Sequence, residues 1–219
     1  MGRTAVIKSA AAVIVGHAIT LFIRLVTAPR AIWAGTEPVP RQRVYFANHT
    51  SNADFVLIWA VLPGFLRRNT RPVAASDYWL KNRLRAFAGR DVFKAVLINR
   101  DPEARAEDED PVARMIAALD AGASLILFPE GKRNLTDTPL LEFKSGLYHL
   151  ARKRPDVDLV PTWIDNLNSV LPKGEVVPVP LICTVTFGPP VHIARGEDKA
   201  SFLGRAHDAL EALAKGGEG

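Results

Sequence analysis

Residues 110–134 read DPVARMIAALDAGASLILFPEGKRN: a helix, a buried strand and a polar turn in direct succession. Asp110 is placed to cap a helix that Pro111 starts, because the first N–H groups of a helix lack partners and proline has none to leave unpaired. The helix runs to Ala121 and closes at Gly122, since glycine takes a left-handed stop without strain. SLILF (124–128) is a short apolar run with no helical length, and it reads as a buried strand. In PEGKRN, Gly131 permits a tight turn, while Lys132 and Arg133 put two cations at the strand's end, natural for an anion site. A charged surface turn is the competing reading of the same residues.

Working outward, strand-like and helix-like runs alternate. Strands are expected at 44–47, 72–75, 96–99, 159–164 and 182–187. Helices are expected at 54–62, 78–88, 145–153 and 198–215. Such alternation implies an α/β fold with a central, mostly parallel sheet flanked by helices. In that architecture ligands sit beyond the strand ends. The acidic run 101–110 reads as a solvated loop.

The chain of 219 residues is 48% hydrophobic and 23% charged, which excludes a disordered composition. The lone Cys183 excludes an internal disulfide, and no Cys/His cluster calls for zinc, so no metal is expected. A reducing, intracellular setting fits. The net charge of +5 is local: nine basic residues from Arg67 to Arg100 face two acids, a net of +7, leaving −2 for the rest. Such a surface suits phosphate, whether of nucleic acid, anionic lipid or a small substrate. Trp79, Leu80, Leu84, Phe87 and Phe93 interleave with these charges, as at a membrane surface or on an ordinary amphipathic helix.

Residues 9–23, SAAAVIVGHAITLFI, carry no charged side chain. As a helix they extend ~22 Å, short of the ~30 Å hydrocarbon core, with Lys8 and Arg24 able to snorkel at the ends. We read a membrane-associated helix, lying in the interface or spanning. Arg24 and Pro29 argue against a secretory signal; a buried core helix is the other alternative. Residues 35–40 form a linker. The expected organisation is therefore 1–40, helix and linker, and 41–219, the α/β domain.

NHTSNAD (48–54) follows the strand at 44–47. On one reading Asp54 caps the next helix and His49 is a bonded loop histidine. On the other, the carboxylate fixes the imidazole tautomer and leaves the second ring nitrogen to take a proton. There is no G-x-S-x-G elbow and no cysteine in a nucleophile's setting, so such a base would act on a substrate hydroxyl. LINR (97–100) puts Arg100 after another strand, and Lys144 precedes a helix start, where an anion gains from cation and dipole together.

Together these blocks resemble the glycerolipid acyltransferases related to bacterial 1-acyl-glycerol-3-phosphate acyltransferase. His49 and Asp54 form the H-x-x-x-x-D pair, FPEG with Arg133 resembles F-P-E-G-T-R, LINR the middle block, and LVPTWI (159–164) the late V-P-V block. The resemblance implies a glycerol-3-phosphate acyltransferase-like fold and direct transfer of a fatty acyl group from acyl-CoA or acyl carrier protein to a lysophospholipid hydroxyl. It implies His49 as general base and Asp54 as its orienter. It implies a glycerophosphate-binding turn of Glu130, Gly131 and Arg133, aided by Arg100. Lys132 stands where threonine is usual and adds a positive charge; Lys144 is added on its position alone. No cofactor is expected beyond the acyl donor as co-substrate. The expected partners are the acceptor, the donor and membrane lipids, with no nucleic acid. The expected location is the cytoplasmic face of the cell membrane. A lipid esterase and a non-catalytic membrane-surface module are the alternatives.

Overall fold

A computed structural model describes residues 3–99, 110–165 and 183–215. The strands are β1 (Arg30–Trp33), β2 (Arg43–Ala47), β3 (Thr70–Ala75), β4 (Val96–Ile98), β5 (Ser124–Leu127), β6 (Asp158–Asp165) and β7 (Thr184–Phe187). The helices are α1 (Arg3–Thr27), α2 (Asp54–Val61), α3 (Gly64–Arg67), α4 (Ser76–Trp79), α5 (Arg83–Phe87), α6 (Pro111–Asp120), α7 (Gly146–Lys153) and α8 (Lys199–Lys215). A single π turn, Ala88–Val92, follows α5.

The seven strands form one sheet in the order β1-β7-β6-β2-β5-β3-β4. Pairing is parallel from β6 through β4, and β7 joins β6 antiparallel. The strand β2 lies at the centre, and all five of its residues are buried. Alternation sends Val44 and Phe46 to one face and Tyr45 and Ala47 to the other, and each is wholly inaccessible. Two covered faces explain why β2 and β5 read as continuous apolar runs rather than alternating ones. Val44, Phe46, Leu125 and Leu159 pack under α6, α7 and α8 through Met115, Leu147, Leu150 and Phe202. Tyr45, Ala47, Ile126 and Val160 pack under α2 through Leu57 and Ile58. Each large side chain so buried contributes about 1.5–3 kcal/mol.

The helix expected over 110–121 forms as read: Asp110 Oδ1 accepts the Val112 amide at 2.9 Å, and Gly122 takes φ +81°. The helix expected over 78–88 does not form in one piece. It breaks after Trp79, Asn82 caps α5 through Arg85 N at 2.9 Å, and the π turn follows. A straight helix would hold residues 79 and 89 about 15 Å apart. Instead the Trp79 ring lies against Gly89, where an added Cβ would come within 3.0 Å of Cε3.

Residues 30–33 add an edge strand to the sheet. The strand β1 pairs in parallel with β7, and Thr27 O accepts the Cys183 amide at 3.0 Å. The helix α1 packs on α2 and the π turn through a seam of small residues: Ala12, Gly16 and Thr20 are buried, and Gly16 faces Trp59. Thr20 and Thr27 donate their hydroxyls to the carbonyls of Gly16 and Ile23, so the seam holds no unsatisfied hydroxyl. Ile19, Ile23 and Val26 also pack against the domain, while other large side chains point outward: Ile14 is 68% exposed and Leu25 73%. A soluble core helix does the reverse, and outward apolar bulk of this kind is found on surfaces that meet a bilayer or another protein. By length and composition Ile7–Thr27, with mean hydropathy 1.9, suffices to cross a membrane.

Candidate active site

The chain leaves the sheet at Asn48, whose side chain substitutes for another strand residue. Its Nδ2 donates to Ile164 O at 3.0 Å, and its Oδ1 accepts Ile164 N at 2.8 Å. His49 follows, at the carboxyl end of the central strand. Its Nδ1 lies 2.8 Å from Asp54 Oδ2. The same oxygen accepts the amides of Thr50 at 2.7 Å and Ser51 at 2.8 Å. Asp54 is fully buried, and its Oδ1 has no partner among the described residues. A carboxylate here requires Nδ1 to carry the proton, which leaves the Nε2 lone pair free. Nε2 makes no hydrogen bond among the described residues. The imidazole stacks on Phe128, ring centres 4.2 Å apart, and its side chain is 20% exposed.

Asp54 does not cap α2. It is the first helical residue, Ala53 occupies the cap position without a side-chain bond, and the carboxylate turns back to the loop before it. The three donors converging on Oδ2 decide that orientation. The helix dipole favours a negative charge at the same place.

The FPEG turn leaves the end of β5, next to β2. Glu130 is 1% exposed, and its two oxygens accept the His49 amide at 2.7 Å and the Leu141 amide at 3.0 Å. Burial holds its carboxyl above the ordinary carboxylate range, and the two amide bonds oppose that shift. From the other side, His49 O accepts the amide of buried Asn134 at 2.6 Å. The Asn134 side chain organises the next turn through Thr138 O and the Thr136 amide, at 2.6 and 3.0 Å. Gly131 takes φ +72°, and a Cβ there would come within 3.2 Å of Lys144 Cγ. The Lys144 amide donates to Pro129 O at 2.8 Å, so its stem lies over the turn. Lys132, Arg133 and Lys144 are exposed and form no ion pair among the described residues.

The structure thus brings His49, Asp54, Glu130, Gly131 and Lys144 together, with Lys132 and Arg133 on the same turn. Arg100 lies outside the described residues. Glu130 sits in the expected turn, but its carboxylate is buried and joins two chain segments through the His49 and Leu141 amides. Sequence reasoning missed Asn48, Asn134 and the stacked face of Phe128. An asparagine directly after a strand and another after a glycine turn were the available signals. Cys183 is buried and its thiol is pushed up to about 11, so it offers no thiolate at neutral pH.

A free-faced imidazole oriented by a buried carboxylate, with cations on the adjoining turn that form no ion pair among the described residues, can take a proton from a hydroxyl held by an adjoining anionic group. A family model described as "Acyltransferase" matches residues 31–165. No curated protein sequence gives a significant match. Among solved structures, the crystal structure of the 1-acyl-sn-glycerophosphate (LPA) acyltransferase PlsC from Thermotoga maritima matches with a TM-score of 0.70. The two chains are 19% identical, and the match covers 96% of this chain and 83% of that one. That likeness is one of fold: a mixed α/β sheet flanked by helices. The family model takes in both the His49–Asp54 pair and the FPEG turn, over well more than half of the sequence, and on that ground the chain belongs to the acyltransferase family.

Proposed function

We propose that the protein moves a fatty acyl group from a thioester donor, acyl-CoA or acyl carrier protein, to the free hydroxyl of 1-acyl-glycerol-3-phosphate, giving phosphatidate. The observation that carries this reading is the pairing of His49 Nδ1 with Asp54 Oδ2 at 2.8 Å while Nε2 makes no hydrogen bond among the described residues. His49 Nε2 accepts the proton of the acceptor hydroxyl as its oxygen attacks the thioester carbonyl. The tetrahedral intermediate collapses, the C–S bond breaks, and the departing thiolate takes the proton back. Asp54 steadies the imidazolium between those steps. Lys132, Arg133 and Lys144 hold the acceptor phosphate, and Glu130 positions His49 without touching substrate. A placed base supplies roughly 10²–10⁴-fold, and alignment of the two substrates adds to it. The outward apolar side of α1 brings the site to a bilayer, where acceptor and product reside.

The test is turnover of purified protein with each donor against lysophosphatidate, lysophosphatidylglycerol and lysophosphatidylethanolamine. Phosphatidate formation that collapses in His49→Ala is expected. Equal turnover in that variant, or fatty acid released without an acceptor, would overturn the reading. Lys132, an extra cation where threonine is usual, makes the head-group panel decisive for the acceptor.

A further inference from the structure

A second cationic site lies at the other end of the sheet. A cavity of about 630 Å³ opens between α1, α3 and the π turn. Arg67, Arg68, Arg71 and Lys94 line it, and Asp91 is the one acid among its described lining residues. Asp91 already faces Lys8 at 3.9 Å. Arg68, Arg71 and Lys94 form no ion pair among the described residues. Arg67 shares a single carbonyl, Ala60 O, with Arg24; each guanidinium stands 3.4 Å from it. Burial and the Arg24 charge pull Arg67 below the ordinary arginine range. Lys94 adopts a left-handed backbone, φ +50°, just beyond Phe93, which follows Val92, the last residue of the π turn. Both conformations are uncommon, and both tend to be kept where a side chain must be aimed.

The place is distinct from the candidate active site. Thr70 pairs with Ser124, where β5 begins, whereas His49 lies beyond the end of β2. Four residues of β5 separate the two ends, about 13 Å along the strand. Four cations converging with one spoken-for acid repel one another, and a phosphate would answer them with charge-assisted hydrogen bonds. The rim also carries Val13 and Phe65, 56% and 44% exposed, which continue into the outward apolar side of α1. A ligand suited to both halves has an anionic head and hydrocarbon chains.

We propose that this cavity binds the phosphate of an anionic phospholipid, with the acyl chains running along α1 past Val13 and Phe65. The bound lipid holds the protein on anionic bilayers independently of the reaction at His49.

Co-flotation with phosphatidylcholine vesicles, with and without phosphatidylglycerol, tests this. The triple variant Arg68→Gln, Arg71→Gln, Lys94→Gln loses the added affinity for phosphatidylglycerol vesicles by roughly a hundredfold, about fivefold for each cation. A control triple of equal charge on the opposite face, Arg152→Gln, Lys153→Gln, Lys199→Gln, stays within about twofold of the parent, a change too small for even one bound cation. Asp91→Asn binds more tightly, and this gain guards against a misfolded triple. Equal weakening by both triples would reduce the site to diffuse attraction and overturn it, as would full binding by the cavity triple. Inorganic phosphate is titrated in parallel by thermal melting. Stabilisation that needs Arg68, Arg71 and Lys94, with vesicle binding indifferent to them, would assign a soluble anion and overturn the lipid.

Discussion

Glu130 and His49 are joined main chain to side chain: Oε1 of the glutamate takes the histidine amide at 2.7 Å, while Oε2 takes the Leu141 amide at 3.0 Å. Burial keeps this carboxyl above its ordinary range, so between that range and the raised value the folded state binds more protons than the unfolded one. Its contribution to stability is therefore largest in acid and falls as pH rises through the raised value. Glu130→Gln removes that slope. Urea midpoints measured from pH 4 to pH 8 should show the parent losing more stability than the variant over the same interval.

Asp54 lends itself to a split between charge and shape. Asparagine can set its oxygen at Oδ2, where three donors converge, and its NH₂ at the unpartnered Oδ1. Asp54→Asn should keep its melting temperature within a few degrees and lose turnover by at least about tenfold, because the imidazolium loses its counter-charge. Asp54→Ala strands three donors and should unfold more easily by about 1–3 kcal/mol or more.

Gly131→Ala combines two faults, a left-handed backbone and a Cβ 3.2 Å from Lys144 Cγ. The first costs about 1–2 kcal/mol. The second pushes the Lys144 stem off the turn. Thermal melting reads the first, and a raised KM for the acceptor reads the second.

Arg133→Ala and Lys144→Ala each remove a cation that forms no ion pair of its own among the described residues. One charge-assisted contact carries about 1.5–3 kcal/mol, so KM for a phosphate-bearing acceptor should rise roughly 10- to 100-fold with kcat little changed. A matching fall in kcat would move these residues from binding into the chemical step.

Ile14→Asp with Phe22→Asp places two charges on the outward side of α1, where the parent residues are 68% and 59% exposed. Folding should be unaffected, since neither side chain is buried in the domain. Partition to vesicles should fall by at least about a hundredfold, given roughly 1.5–3 kcal/mol for each apolar side chain taken out of water. Sedimentation with liposomes measures it.

The central strands were legible because both faces of the sheet are covered, so β2 and β5 appear as unbroken apolar runs ended by polar turns. The spacing of His49 and Asp54 allowed two readings, and the resemblance of the joined blocks favoured the paired one. The direction of the Asp54 carboxylate was not, because backbone amides of Thr50 and Ser51 decide it and sequence spacing does not display them. β1 was read past as the approach to a linker: RAIW is four residues of an edge strand with alternating half-burial, a weak signal beside the 25-residue helix before it. The break after Trp79 was hidden because it depends on a ring settling against Gly89, a contact between residues ten positions apart. The inward face of Glu130 was hidden for a similar reason: its partners, His49 and Leu141, lie on two other segments.

His49 is gripped through both of its main-chain polar groups, its N–H by Glu130 and its carbonyl by Asn134, and both gripping residues belong to the turn that bears Lys132 and Arg133. The base and the cations therefore cannot drift apart; they travel as one piece of fixed span. An acceptor is gauged by the gap between its hydroxyl and its phosphate. One with the wrong gap can occupy the cations and still leave its oxygen out of line with Nε2, so discrimination among acceptors should register in turnover more than in binding.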